Sequence, residues 1–309
     1  MSRAVVYEKF GGPEVLELRE VPEPHAGEGE VRVRITAAGL NPMDWGLAAR
    51  PEAAARFGIT LPSGFGYDFA GVVDEVGAGV TGFAPGDRVY GGALGRAVAD
   101  FVSIKVSAGA TDALWHTPEG IDDQVAAVIP VAGLSAVAAL AAIGLQAEDT
   151  VLIGGASGGV GVFAVQLAAL AGARVIGTAS ESTFEFLRGL GAEPVAYGPG
   201  LADRVRALVA EGVTAATDLY GTETAEAALA LGVPAERIST IAAGPNPPGG
   251  VRATGGVEAG PGARQRVTDA ILAGRLTVPI AATFPVEQIR EAVGLQAGRH
   301  VHGKVVITF

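Results

Sequence analysis

The chain has no cysteine among its 309 residues. Disulfides, thiolate catalysis and cysteine-based zinc sites are therefore excluded. Lysine is almost as scarce, occurring as Lys9, Lys105 and Lys304. Acidic residues outnumber basic ones and the net charge is −11. A nucleic-acid partner or an anionic membrane surface needs clustered basic residues, so neither is expected. Of the four histidines, His300 and His302 form the one close pair, in a glycine-flanked stretch that reads as a solvated loop. No H-E-x-x-H or similar metal spacing occurs. The opening MSRAVVYEKFGG lacks the apolar core of a signal peptide. The uncharged run from Gln124 to Ala147 is long enough to span a bilayer. It is alanine-rich and contains Pro130, Gly133 and Gly144, which fits a buried helix pair at a domain junction better. A soluble, cytoplasmic protein is expected.

What is present is globular in character, with 49% hydrophobic residues and 46 glycines without a collagen period. The length suffices for two domains. Residues 4–8 and 15–20 read as paired strands. Val31 to Ala38 alternates apolar and polar side chains, the period of a half-buried strand. Gly66 to Val76 and Arg88 to Tyr90 read as further strands between glycine turns. Many short strands at this spacing predict a β-rich domain. Near Ile121 strands begin to alternate with helices, which predicts a parallel, doubly wound sheet. Helices are expected at 184–190, 201–211, 222–231, 263–273 and 286–297. Strands are expected at 194–197, 216–220, 237–243, 276–284 and 304–309. Pro279 inside the 276–284 run places that strand at a sheet edge.

The most informative stretch is TVLIGGASGGVGVFAVQLAALAGARVIGTAS, Thr150 to Ser180. It reads as strand (Val151 to Ile153), glycine turn, uncharged helix (Gly158 to Ala171) and second strand (Arg174 to Thr178). Gly155, Gly158 and Gly161 recur at three-residue spacing. Such glycines permit a tight turn, close approach of backbone N–H groups to a pyrophosphate, and close helix–strand packing. The helix start adds free N–H groups and partial positive charge. The backbone from Ser157 through Gly158 and Gly159 to Val160, with Gly155, is thus the expected dinucleotide cradle. At the tip of the second strand, Thr178, Ala179 and Ser180 offer room and a hydroxyl for a 2′-phosphate, which favours NADPH. Glu181 argues for NADH, because a carboxylate repels a phosphate. Gly244 and Pro245 follow the 237–243 strand and should lie at the nicotinamide end.

Several further segments occur in order: FGGPEVLEL (10–18), GLNPMDW (39–45), GYDFAGVV (66–73), GDRVYG (86–91), PVAGLSA (130–136), FLRGLGA (186–192) and HGKVVIT (302–308). With the glycine turn, this set resembles the quinone oxidoreductase, or zeta-crystallin-like, branch of the medium-chain dehydrogenase/reductase superfamily. The resemblance spans essentially the whole chain. It implies a GroES-like β-rich substrate domain, residues 1–120 plus 275–309, around an inserted Rossmann domain, residues 121–274. It also implies NADPH as cofactor, with NADH possible, and hydride transfer to a quinone or conjugated enone. Such relatives work without zinc, and a homodimer is expected. Matched by motif, the catalytic zinc ligands of the alcohol dehydrogenase branch fall on Asn41, Tyr67 and Val131, none of which suits zinc.

For site residues, Asn41 is the first candidate to contact the substrate oxygen, against the alternative of capping its turn before Pro42. Tyr67 is a hydrogen-bond donor or a pocket wall, against the alternative of a partly buried structural tyrosine. Trp45 lines the acceptor slot or packs in the core, and Asp44 sits beside it, orienting its loop. Ser135 resembles the position that touches the nicotinamide, and Tyr197 one near the adenosine phosphate. Arg204 supplies positive charge there if its helix faces the site, against the alternative of a solvated face. The alternatives are an enoyl-thioester or polyketide-tailoring reductase, and a non-catalytic NADPH-binding protein.

Overall fold

The computed structural model describes residues 1–106, 112–244 and 246–309. Pro245 lies outside them. The chain forms two compact units, Met1–Val131 with Ile280–Phe309, and Ala132–Pro279. The sequence pattern changes at Ile121, eleven residues before this division. The intervening residues belong to the first unit because their polar groups are bonded there. Thr36 Oγ1 donates to Asp123 Oδ2 at 2.7 Å, Arg88 pairs with Asp123, and the Val131 N–H donates to Asp68 Oδ1 at 3.1 Å. The expected helix pair is also interrupted, with a short helix Asp123–Ala126, a π-type turn Ile129–Gly133 and then the helix Leu134–Ala142. Pro130 sits in the interruption, where its missing N–H cannot extend an α-helix. Among the described residues, no helix is long and apolar enough to cross a membrane.

The first unit is built on a mostly antiparallel sheet. Its order is Ile280–Pro285, Lys304–Thr308, Glu30–Leu40, Asp68–Val76, Arg88–Ala93 and Asp112–His116, with Phe101–Lys105 also paired to Glu30–Leu40. A small sheet of Glu17–Val21, Ser2–Tyr7 and Ser63–Gly64 accompanies it. The alternation seen from Val31 is the burial pattern of the long strand, with Val31, Val33 and Ile35 packed against Phe69, Val73 and Ile104. The C-terminal strand enters the middle of the sheet and sets Val305 opposite Leu40. Val305 and Ile307 join a core with Val5, Leu40, Phe65, Ile289 and Val293, so the helix Ile289–Ala297 packs within this unit. The edge strand starts at Ile280, after Pro279, and not at Leu276.

The second unit is a six-stranded sheet in the order Glu193–Ala196, Arg174–Ala179, Thr150–Gly154, Ala215–Asp218, Ile238–Thr240 and Arg252–Ala253. Every pairing in it is parallel. Thr150–Gly154 has the next strand in sequence on one side and Ala215–Asp218 on the other. That reversal of direction is the switch point where open α/β sheets place ligands, beyond the strands' carboxyl ends. The strand Ile238–Thr240 is covered by Arg252–Ala253 and is not an exposed edge.

Candidate functional site

In the second unit the switch point carries the glycine turn. The helix begins at Gly161, not Gly158, because residues 155–160 form the turn itself. Gly155 takes φ +65°, a region that L side chains avoid. A Cβ on Gly161 would lie 2.3 Å from the Gly155 carbonyl oxygen and 2.4 Å from that of Ala156. The Gly155 N–H donates to Thr178 Oγ1 at 3.1 Å, and the Ala156 N–H to the Thr178 carbonyl. Thr178 is thus buried and holds the turn from behind. Among the described residues, the N–H groups of Ser157, Gly159, Val160 and Gly161 have no partner within the chain. Four unused donors at a helix start, beside a backbone with no Cβ in the way, form an anion cradle of the kind that accepts a pyrophosphate.

The other expected cofactor residues lie in the same unit. Ser180 shares hydroxyl contacts with Ser182 at 3.0 Å and Thr183 at 2.5 Å. Tyr197 follows the neighbouring strand with 53% of its surface exposed. Arg204 does not project as a free positive charge. Its guanidinium donates to the carbonyls of Ala196, Tyr197, Gly198 and Pro199 and so fixes the Tyr197 loop. Ser135 lies in the first turn of Leu134–Ala142, with Gly256 against its hydroxyl. Gly244 is exposed at φ +69°. Sequence reasoning passed over Asp218. Its buried carboxylate accepts from the N–H groups of Tyr220, Gly221, Thr224 and Ala225 and holds the loop next to Gly155.

In the first unit, the other expected residues gather around Asn41. This side chain is 1% exposed. Its Nδ2 donates to Asp68 Oδ2 at 2.9 Å and to the Gly39 carbonyl at 3.4 Å. Its Oδ1 accepts from Lys304 Nζ at 2.6 Å. Its backbone N–H donates to Asp44 Oδ2 at 2.8 Å in a reciprocal capping box at the helix Pro42–Ala49. Both amide hydrogens of Asn41 are therefore engaged within this unit. Asp44 and Asp68 are buried carboxyls. Burial, with the neighbouring Asp68, pushes Asp44 up to about 8. Burial likewise raises Asp68 to about 7, against the pull of Lys304 and Asn41. Burial also lowers Lys304. Lys304 lies in the HGKVVIT segment, and its place beneath Asn41 follows from the Val305–Leu40 register.

Tyr67 is half-buried beside this cluster. Its ring lies over Gly92, where a Cβ would come within 2.1 Å of the ring. Burial, then Asp68 and Asp112, raise the phenol to about 12, so it stays a neutral donor. Trp45 is anchored by its Nε1, which donates to Gln296 Oε1 at 3.1 Å, and Arg299 stacks over the ring. Asp44 borders a small cavity with Tyr7, Leu47, Ile59, Phe65 and Leu94, an apolar lining.

Residues 27–121 match the family model described as alcohol dehydrogenase GroES-like domain, and residues 159–254 the model described as zinc-binding dehydrogenase. These two matches, with the fold, define a dinucleotide-fold dehydrogenase/reductase of two units. A quinone oxidoreductase of Pseudomonas aeruginosa is 40% identical over 58% of this chain and 53% of its own length. The alignments span about half to six-tenths of the length of such curated relatives. The solved quinone oxidoreductase of Coxiella burnetii is 28% identical, with TM-score 0.87, over 100% of this chain and 99% of its own. A mycobacterial protein solved in complex with NADPH is 28% identical, with TM-score 0.86, over the whole of both chains. The CurK enoyl reductase is 27% identical, with TM-score 0.86, over 99% of each chain. The chain belongs to the medium-chain dehydrogenase/reductase superfamily and is of the quinone-oxidoreductase-like kind.

The zinc in one model's description has no fitting donors at the positions the motifs indicate. An amide, a phenol and an aliphatic side chain stand at Asn41, Tyr67 and Val131. The amide oxygen already accepts from an ammonium. Zinc requires thiolate, imidazole or carboxylate, and a neighbouring cation repels it.

Proposed function

We propose that this protein is a zinc-independent, NADPH-dependent oxidoreductase that reduces quinones or conjugated enones. The observation that carries the reading is the glycine turn, with four unused N–H groups beyond the carboxyl ends of parallel strands. In this reading Gly155 and the backbone from Ser157 through Gly158 and Gly159 to Val160 bind the pyrophosphate. Thr178 holds that cradle, Ser180 and Tyr197 serve the adenosine phosphate, and Ser135 and Gly244 serve the nicotinamide end. Bound NADPH supplies a hydride. Tyr67, neutral across the physiological range, donates a hydrogen bond to the oxygen on which charge develops. Asn41 orients the turn that carries Asp44 and Trp45, and in this reading these two line the pocket that keeps the acceptor in place. NADPH is preferred through Ser180 and the small Ala179, and NADH is admitted because Arg204 is committed to carbonyls and offers no free charge to a 2′-phosphate. We take the active form to be a cytoplasmic homodimer, for which Ile280–Pro285 offers a sheet edge.

A second reading, an enoyl-thioester reductase, is favoured by the likeness to the CurK enoyl reductase. The deciding experiment compares NADPH and NADH consumption with an ortho-quinone, an enone and an enoyl thioester, in the presence of a chelator. Chelator-resistant turnover of the quinone or enone, faster with NADPH, is expected. Turnover confined to the thioester favours the second reading. Binding without any turnover makes this a cofactor-binding protein, and failure to bind either cofactor ends the proposal.

A further inference from the structure

We propose that the buried Lys304 ammonium, and not a metal ion, is the resident cation of the Asn41–Asp68 centre, and that Lys304 is a positioning residue for the reaction. The activity part rests on the reductase reading above. Lys304 is 2% exposed, whereas Lys9 and Lys105 are exposed. Its Nζ donates to Asn41 Oδ1 at 2.6 Å and to the Leu40 carbonyl at 2.9 Å. The first contact fixes the flip of the Asn41 amide, because Oδ1 must face the ammonium and Nδ2 then faces Asp68. Asp68 passes the constraint on, since its second oxygen holds the Val131 N–H. One cation thereby organises residues 41, 68 and 131, which include two of the three positions where zinc-dependent relatives are expected to carry ligands. Tyr67 is the next residue to Asp68, so the phenol's carrier strand is anchored by the same network.

The charges balance without a metal. One ammonium lies near two buried carboxyls, bridged to Asp68 through the Asn41 amide, and burial raises both carboxyls, so one carboxylate is enough to compensate Lys304. Burying an ammonium is unfavourable, and apolar side chains often fill such a space at equal or better stability. Stability alone therefore gives no reason for a lysine here. A divalent ion would have to displace the ammonium from the Asn41 oxygen to bind.

The test separates positioning from packing by removing one charge and then both. Lys304→Met should lower the thermal midpoint and kcat together. Lys304→Met combined with Asp68→Asn leaves no uncompensated charge. Its thermal midpoint should recover to near that of the unaltered protein, with NADPH Kd unchanged and kcat still reduced at least tenfold. Recovery of kcat along with the midpoint would show that Lys304 only packs, and would overturn the positioning role. Metal analysis of the purified, unaltered protein tests the other half. Less than a tenth of an equivalent of zinc is expected, and one tightly held equivalent per chain overturns it. If the unaltered protein reduces no acceptor, the reductase reading fails, while the metal content still decides the identity of the cation.

Discussion

A carboxyl that is 5% exposed and pushed up to about 8 changes what pH does to the fold. Asp44 binds a proton in the folded state over the window from its ordinary value near 4 to about 8, where the unfolded chain has lost it. The native state then holds more protons, so stability falls as pH rises through that window. Asp68, raised to about 7, acts in the same sense. We expect the thermal midpoint to drop between pH 5 and pH 8. Asp44→Asn, which retains an oxygen to accept the Asn41 N–H, should flatten part of that slope and equal or exceed the unaltered protein at pH 8. Parallel melting curves for the two proteins would show that Asp44 does not carry a raised value. None of this was readable beforehand. The NPMD motif identified Asn41 and Asp44 as a turn, but the partner that fixes Asn41 is 263 residues away. Only the strand register brings it there, and one sequence does not state register.

Among the elements, the glycine turn was the most legible, because its physical requirement is local. A positive φ at Gly155 and a missing side chain at Gly161 are needs that only glycine meets, and strand and helix patterns flank them. Strands whose identity depends on a distant neighbour were less visible. Phe101–Lys105 is held on Glu30–Leu40, and Asp112–His116 on Arg88–Ala93, and neither has a strong pattern of its own. The turn gives a direct prediction. In Gly161→Ala the new Cβ would meet two carbonyl oxygens closer than 2.5 Å, so residues 155–156 must move. The four N–H groups then lose their common focus. We expect NADPH Kd, measured calorimetrically, to rise at least tenfold, about 1.4 kcal/mol, with the circular dichroism spectrum unchanged. Unaltered affinity would show that the pyrophosphate does not lie on this turn.

For the whole molecule, the composition of each unit along the chain decides what can fold alone. The second unit is continuous, Ala132–Pro279, and its sheet pairs only strands from within that range. The first is completed from the far end of the chain. Lys304–Thr308 pairs on one side with Glu30–Leu40 and on the other with Ile280–Pro285, and Val305 and Ile307 are fully buried in the core. Without these residues, residues 1–131 lack an internal strand, leave Glu30–Leu40 with an open edge and lose the cation beneath Asn41. Breaking an internal strand removes many apolar contacts at once, and a unit of this size has only about 5–15 kcal/mol of stability to lose. The fragment 132–279 should therefore unfold cooperatively in urea and show dispersed amide signals. The fragment 1–131 should not, until the peptide 280–309 is supplied. Cooperative unfolding of 1–131 by itself would mean that the early strands close their own core, and that the C-terminal strand serves chiefly to bring Lys304 to Asn41.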